Sequence, residues 1–310
     1  MAVQDVSRHE VDERLMARAL DGIKDRTLNH WYGLRYGSPS LRNVAVLRDE
    51  LLDHVAASVQ DDGSLAGPWR RVLETAAECA LGILSVGCYP DGDQEIRLPL
   101  LGEEISTDDD EVEFGDLMVS QAPTTATWVE AFSLCLVSGL ILEWRRVIGP
   151  LLQDEYAGEI RSGVPYSELE SRSEPAGLAE MDALSLYLAP ATGHRPSDWP
   201  RVPLREPTAE ERVAAAGQLD ASGPLSPDQQ LLRVLLDDDQ QAFEQALAAR
   251  LVRHRESVGS DPAPRSLLPL GALAPAALAV QVHGWELGVS SGYLPYDLLR
   301  SSQAPGGSGS

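Results

Sequence analysis

The most continuous hydrophobic pattern of the chain runs from Thr127 to Ile148, near its middle. Apolar side chains fall on nearly every face of the helix that this stretch would form, and a helix that is apolar all round is buried. Thr127 followed by Glu130 is a capping-box pattern that predicts the start of the helix, and Pro150 predicts its end. We therefore predict a central core helix over 127–148 that buries both Trp128 and Trp144.

Apolar residues recur three and four positions apart in several further segments, which is the spacing of an amphipathic helix. Ser38-Pro39, Pro68 and capping boxes at Thr208 and Ser226 predict where four of these helices begin. Residues 27–36 and 150–175, in contrast, are expected to be irregular. Four predicted helices cover 10–20, 38 to about 60, 68–87 and 178–188. Three more begin near 208, 226 and 237, and the last predicted helix ends at Gly284.

Two short segments are candidates for extended structure, because both are bounded by turn signals. They cover Glu95–Leu101, where Pro99 restricts the strand to a sheet edge, and Glu286–Val289. We expect these two segments to pair with each other in one small sheet. The predicted fold class is therefore mainly α: a multi-helix bundle around a central buried helix, with at most one small β element.

An acid-rich segment lies between the helix predicted over 68–87 and the central helix. Its carboxylates lack the alternate spacing and the glycine of a calcium loop. Two interpretations stay open: a solvated surface insertion, or a loop that binds a basic partner. The candidate partner-binding residues are Glu103, Glu104, Asp108, Asp109, Asp110, Glu111, Glu113 and Asp116, with no basic residue among them.

The net charge of the whole chain also favours a basic protein as the partner. The chain carries 48 acidic and 25 basic residues, a formal net charge of −23. Such a chain is repelled by nucleic acid and by anionic membrane surfaces, and it attracts basic proteins. The alternative is that the excess charge only keeps the protein soluble.

Catalytic and cofactor signatures are absent from the sequence. It contains no glycine-rich phosphate loop, no His-Glu-x-x-His and no Gly-x-Ser-x-Gly, and its six histidines are dispersed. Cys79 and Cys135 lie in apolar runs and are predicted to be small core residues. We expect no catalytic residue, no cofactor and no metal. The N-terminus has no apolar signal region, which favours a cytoplasmic protein.

The predicted domain organisation is simple. We expect one mainly helical domain over 1–300, with 194–207 as the alternative internal boundary because it contains four prolines. Residues 301–310, which are rich in glycine and serine, are predicted to form a flexible tail.

Several short motifs follow one another along the chain. The C-terminal ones are Leu267-Leu-Pro-Leu, a small-residue helix, His283-Gly-Trp, and Tyr293-Leu-Pro followed by Leu298-Leu. Together with the Arg8-His9 start and the Thr127-Trp-Val-Glu-Ala-Phe opening of the central helix, and in this order, they resemble immunity 49 family proteins of actinobacteria over roughly residues 3–300. The resemblance implies a mainly helical, non-enzymatic, cytoplasmic immunity protein that binds and neutralises a cognate toxin of a polymorphic toxin system.

Two functional hypotheses from different classes follow. The first is this toxin-neutralising protein, whose partner would carry a basic surface. The second is a helical-repeat-like adaptor or scaffold with a non-toxin partner, which the paired helices predicted after Thr208 would support. An enzyme ranks third, because no constellation of residues supports one.

Overall fold

The computed structural model describes residues 4–37, 40–62, 69–106, 121–191 and 200–300, with the backbone alone at residues 60–62 and 144. The fold is mainly helical, which confirms the predicted fold class. The helices are α1 (Glu13–Leu20), α2 (Ile23–Tyr36), α3 (Leu41–Asp62), α4 (Trp69–Cys88), α5 (Thr125–Ser138), α6 (Ile148–Pro150), α7 (Ala157–Arg161), α8 (Pro175–Ser185), α9 (Ala209–Ala221), α10 (Pro227–Leu235), α11 (Gln240–Ser257), α12 (Leu270–Gln281) and α13 (Tyr296–Leu299). A π-helical stretch, Leu151–Tyr156, joins α6 to α7, and 3-10 turns cover Leu140–Leu142, Trp144–Arg146 and Pro264–Leu267.

The central helix exists but is shorter than predicted. It is α5, which ends at Ser138 because Gly139 adopts the left-handed conformation, with φ of 81°. Its cap is also shifted, since the Thr124 backbone N–H donates to Thr127 Oγ1 at 3.2 Å. Pro150 does not stop a helix, because it lies in the first helical turn after the break, where its missing N–H has no intrahelical partner anyway.

Helix α5 is the buried centre of the bundle, as predicted. It packs against α4, α8 and α12, and α4 packs in turn against α3. The Trp128 side chain is fully buried and stacks on Phe132, with ring centres 5.3 Å apart and an angle of 9° between the rings. The side chain of Trp144, the second tryptophan predicted to be in the core, lies outside the described residues.

The single predicted sheet is wrong, because its two segments have different partners. Strand β2 (Glu95–Leu98) pairs antiparallel with β3 (Glu103–Ser106), while β1 (Gln4–Val6) pairs in parallel with β4 (Val289–Ser291). A tight turn returns the chain after β2, with Gly102 at a φ of 75°, so the hairpin partner of β2 is local. The N-terminal strand was missed because a strand of three residues carries almost no periodic signal.

Residues 27–36 and the first part of 150–175 are helical although they were predicted to be irregular, whereas 162–174 lies outside the helices as predicted. Residues 27–36 belong to α2, whose buried side chains Thr27, Trp31 and Leu34 follow helical spacing. Residues 148–161 form the run from α6 through the π-helical stretch to α7, and Leu152, Tyr156 and Ile160 are buried in it. In both segments the tertiary packing of a few large side chains overrides a polar local sequence.

Candidate partner-binding surface

The acid-rich segment begins on strand β3. Glu103 and Glu104 are exposed there, whereas Ile105 of the same strand is buried. Two of the eight predicted partner-binding acids therefore have a defined place on the surface. The other six, Asp108, Asp109, Asp110, Glu111, Glu113 and Asp116, lie outside the described residues.

Buried side chains attach the hairpin that carries Glu103 and Glu104 to the core. Ile96 and Leu98 of β2 are buried together with Ile105. Gly82 of α4 permits this close packing, because a Cβ atom at that position would lie 2.5 Å from Cγ1 of Ile96. The backbone N–H of Leu100 also donates to Thr75 Oγ1 of α4 at 3.0 Å. The exposed edge with Glu103 and Glu104 is thus held on a rigid support.

An aromatic helix face adjoins the acid-bearing strand. The Trp31 side chain of α2 is buried, and its Nε1–H donates to the backbone carbonyl of Glu104 at 3.2 Å. Tyr32 and Tyr36 lie on the outer side of the same helix and are 51% and 60% exposed. The sequence analysis missed both tyrosines because it treated residues 27–36 as irregular. Their spacing of four residues is the signal that could have found them.

A second surface feature is a groove of about 850 Å³, which is lined by residues at the N-terminal ends of α3, α5, α10 and α12. Three carboxylates, of Glu130, Glu180 and Asp228, line it. Glu130 pairs with Arg48 at 2.5 Å, and Asp228 pairs with Arg250 at 2.5 Å.

The electrostatics of this groove are largely compensated from within. Burial raises the pKa of the Glu130 carboxyl, while the neighbouring Arg48 opposes the rise. Burial likewise raises the pKa of Glu180, although a hydrogen bond of 2.9 Å from Gln229 Nε2 favours its charged form. Because two of the three carboxylates already face an arginine of the chain, the groove presents less free negative charge than its composition suggests.

One cluster has the residue types of a metal site: Glu206, Asp238 and His283. Arg212, however, bonds both carboxylates, at 3.2 Å to Glu206 and 2.8 Å to Asp238. His283 Nδ1 lies 2.9 Å from Asp238 Oδ1, and its Nε2 lies 3.1 Å from the Tyr187 hydroxyl. Both imidazole nitrogens and both carboxylates thus have partners, and the cluster is best described as an ion-pair network that ties α9 to the segment that follows α12.

The cysteines are confirmed as core residues. Cys79, Cys88 and Cys135 are all buried and unpaired with one another. Burial raises the pKa of both Cys79 and Cys88 to about 12 and raises that of Cys135 as well. A thiol with such a pKa is protonated at neutral pH and is therefore a poor nucleophile.

The comparison with protein families bears on the two functional hypotheses. The family model described as immunity protein 49 matches residues 68–298. The chain belongs to the immunity protein 49 family. The matched range contains α4 to α12, including α5 and the β2–β3 hairpin. No curated protein and no solved structure matches the chain. Among the described residues, no helix is long and apolar enough to cross a membrane.

Membership confirms the predicted resemblance to the immunity 49 family over residues 68–298, while its actinobacterial source stays a prediction. Membership in an immunity protein family implies a toxin partner and a non-enzymatic role. The paired helices α9, α10 and α11, which supported the adaptor hypothesis, fall inside the matched range.

Proposed function

We propose that this protein binds and neutralises one cognate toxin of a polymorphic toxin system in the cytoplasm, as a stoichiometric inhibitor. The observation that carries the proposal is the family match over residues 68–298. Buried, protonated cysteines and internally paired carboxylates are consistent with inhibition by binding.

The charge of the chain indicates the kind of toxin surface that it would meet. A net charge of −23 attracts a basic protein and accelerates the diffusional encounter. Toxins that act on nucleic acid carry basic clefts for their substrate, so an acidic protein can occupy such a cleft in its place. We assign the steering role to the segment with Glu103, Glu104, Asp108, Asp109, Asp110, Glu111, Glu113 and Asp116.

The test of this function is co-expression of the protein with the toxin-domain protein encoded beside its gene. The proposal expects growth to be rescued and the two proteins to purify as one complex. An adaptor would purify with a partner without restoring growth. Toxicity that persists in the presence of the folded protein would contradict the proposed function.

The steering role can be tested by charge reversal with a matched control. Changing Glu103 and Glu104 to Lys should slow association with the toxin, and added salt should slow association of the wild-type protein through screening. The control changes Glu168 and Glu256 to Lys, which are also exposed acids and alter the net charge by the same amount. Equal association rates for the two variants would show that only the total charge matters, and not the β3 position.

A further inference from the structure

The outer face of α2 carries two tyrosines that the described part of the chain leaves exposed. We define the α2 aromatic face as Tyr32 and Tyr36, which lie beside the buried Trp31 ring. The centres of the three rings lie 5.0 to 6.1 Å apart, so the rings form one contiguous cluster. The Arg35 guanidinium lies 5.5 Å from the Trp31 ring centre and 5.6 Å from that of Tyr36.

Exposed tyrosines of this kind are useful at an interface. Tyrosine offers a large contact area with few rotatable bonds, and it is enriched among the residues that contribute most to protein–protein binding. Trp31 is buried and bonded to β3, so Tyr32 and Tyr36 stand on a fixed base. The α2 aromatic face therefore has the rigidity that an interface anchor requires.

The charges beside this face select the kind of partner. Glu103 and Glu104 are exposed on β3, and the backbone of Glu104 contacts Trp31 directly. A second copy of this chain would bring its own acids against these in a two-fold symmetric contact, and each copy carries a charge of −23. A basic protein surface, in contrast, would meet the acids favourably and could pack its side-chain stems against the tyrosine rings.

We propose that Tyr32 and Tyr36 are the anchor residues with which this protein holds the basic face of its cognate toxin, with Glu103 and Glu104 at the rim. This inference rests on the proposed function and adds the contact surface to it. The two groups have separable kinetic roles, because rim charges set the association rate whereas buried anchors set the dissociation rate.

The experiment measures the association and dissociation rates of the purified protein with the purified toxin-domain protein that is encoded beside its gene. The Tyr32→Ala/Tyr36→Ala variant should weaken the complex by at least about 100-fold, mainly through faster dissociation. The Tyr32→Phe/Tyr36→Phe variant keeps both rings and should stay within about threefold of wild type. The matched control is Tyr166→Ala, since Tyr166 is 62% exposed and contacts the Tyr89 ring at 5.6 Å, and it should also stay within about threefold.

A second variant keeps the inference testable if the double alanine variant does not fold. Tyr36→Lys lies at the last residue of α2, where a cation suits the helix dipole, so the helix should form while the new charge repels a basic partner. It should therefore lose binding and remain folded by circular dichroism.

The outcomes separate the inference from the function on which it rests. If the wild-type protein binds the toxin and the Tyr32→Ala/Tyr36→Ala and Tyr36→Lys variants bind equally well, the α2 aromatic face is not the contact surface, and the proposed function stands. If the wild-type protein sediments as a dimer that the tyrosine variants dissociate, the face joins two copies and the inference is overturned. If the wild-type protein does not bind the toxin at all, the proposed function itself fails.

Discussion

Truncation of Trp128 is the sharpest perturbation of the core that the structure suggests. The side chain is fully buried, stacks on Phe132 and donates its Nε1–H to the Leu152 carbonyl at 2.8 Å. Trp128→Ala leaves a large cavity, which costs about 3–5 kcal/mol of the free energy of unfolding. The change also removes the hydrogen bond to the Leu152 carbonyl, which still accepts from the Ala157 backbone N–H, so this loss adds about 0.5–1.5 kcal/mol.

Trp128→Phe is the milder variant at the same position. Phenylalanine can keep a stacked ring against Phe132 but loses the N–H and part of the ring volume, so we expect a loss of about 1–3 kcal/mol, below that of Trp128→Ala. Tyr166→Ala truncates an aromatic ring that is 62% exposed and should change the free energy of unfolding by less than about 0.5 kcal/mol.

The assay is urea unfolding followed by circular dichroism and by the fluorescence of the remaining tryptophans. The two transitions should coincide, so that one free energy describes the unfolding. The midpoints can be compared directly if the slopes agree. A loss below about 1 kcal/mol for Trp128→Ala would mean that α5 is peripheral, and the whole account of the bundle would be wrong.

Two further predictions test contacts around this core. Gly82→Ala should cost about 1–3 kcal/mol, because the new Cβ would lie 2.5 Å from an Ile96 side-chain atom. Gly217→Ala faces open space within α9 and should instead stabilise the protein by about 0.5–1 kcal/mol. Thermal unfolding distinguishes the two variants, and equal effects would refute the close packing at Gly82. Arg146→Met should cost about 3 kcal/mol, because it leaves the Glu78 carboxylate, which is 2% exposed, without its cation. The double variant Arg146→Met/Glu78→Leu should recover most of this loss in the same assay. No recovery in that double variant would show that the ion pair is not what Arg146 contributes.

Periodicity predicted most of the long helices, but it missed α2 and did not show where the central helix breaks. The central helix was predicted from its apolar residues, and those residues continue past Gly139 without interruption. The break depends on a left-handed glycine, and glycine also occurs inside the helices of this chain, for instance at Gly82 and Gly217. The position of the break therefore could not be read from the local pattern alone. The pairing of β1 with β4 joins the two ends of the described chain, and no local signal encodes such a contact.

The candidate surface was predictable only in part. Charge counting found the acids, including Glu103 and Glu104, because a run of carboxylates is visible in any sequence. The tyrosines were missed because their exposure depends on which side of α2 packs inwards, and that is decided by Trp31 and Leu34. The groove was also beyond prediction, since it is assembled from the ends of four helices far apart in the chain.

The central claim is that this protein neutralises a toxin by binding it, and titration of the toxin's own activity tests that claim most directly. Purified toxin is mixed with increasing amounts of the purified protein, and the remaining activity is measured at a toxin concentration far above the dissociation constant. Stoichiometric inhibition predicts that activity falls linearly and reaches zero at an equimolar amount. Activity that persists in large excess of the protein, or that disappears at a small fraction of an equivalent as it would with an enzyme, would contradict the account.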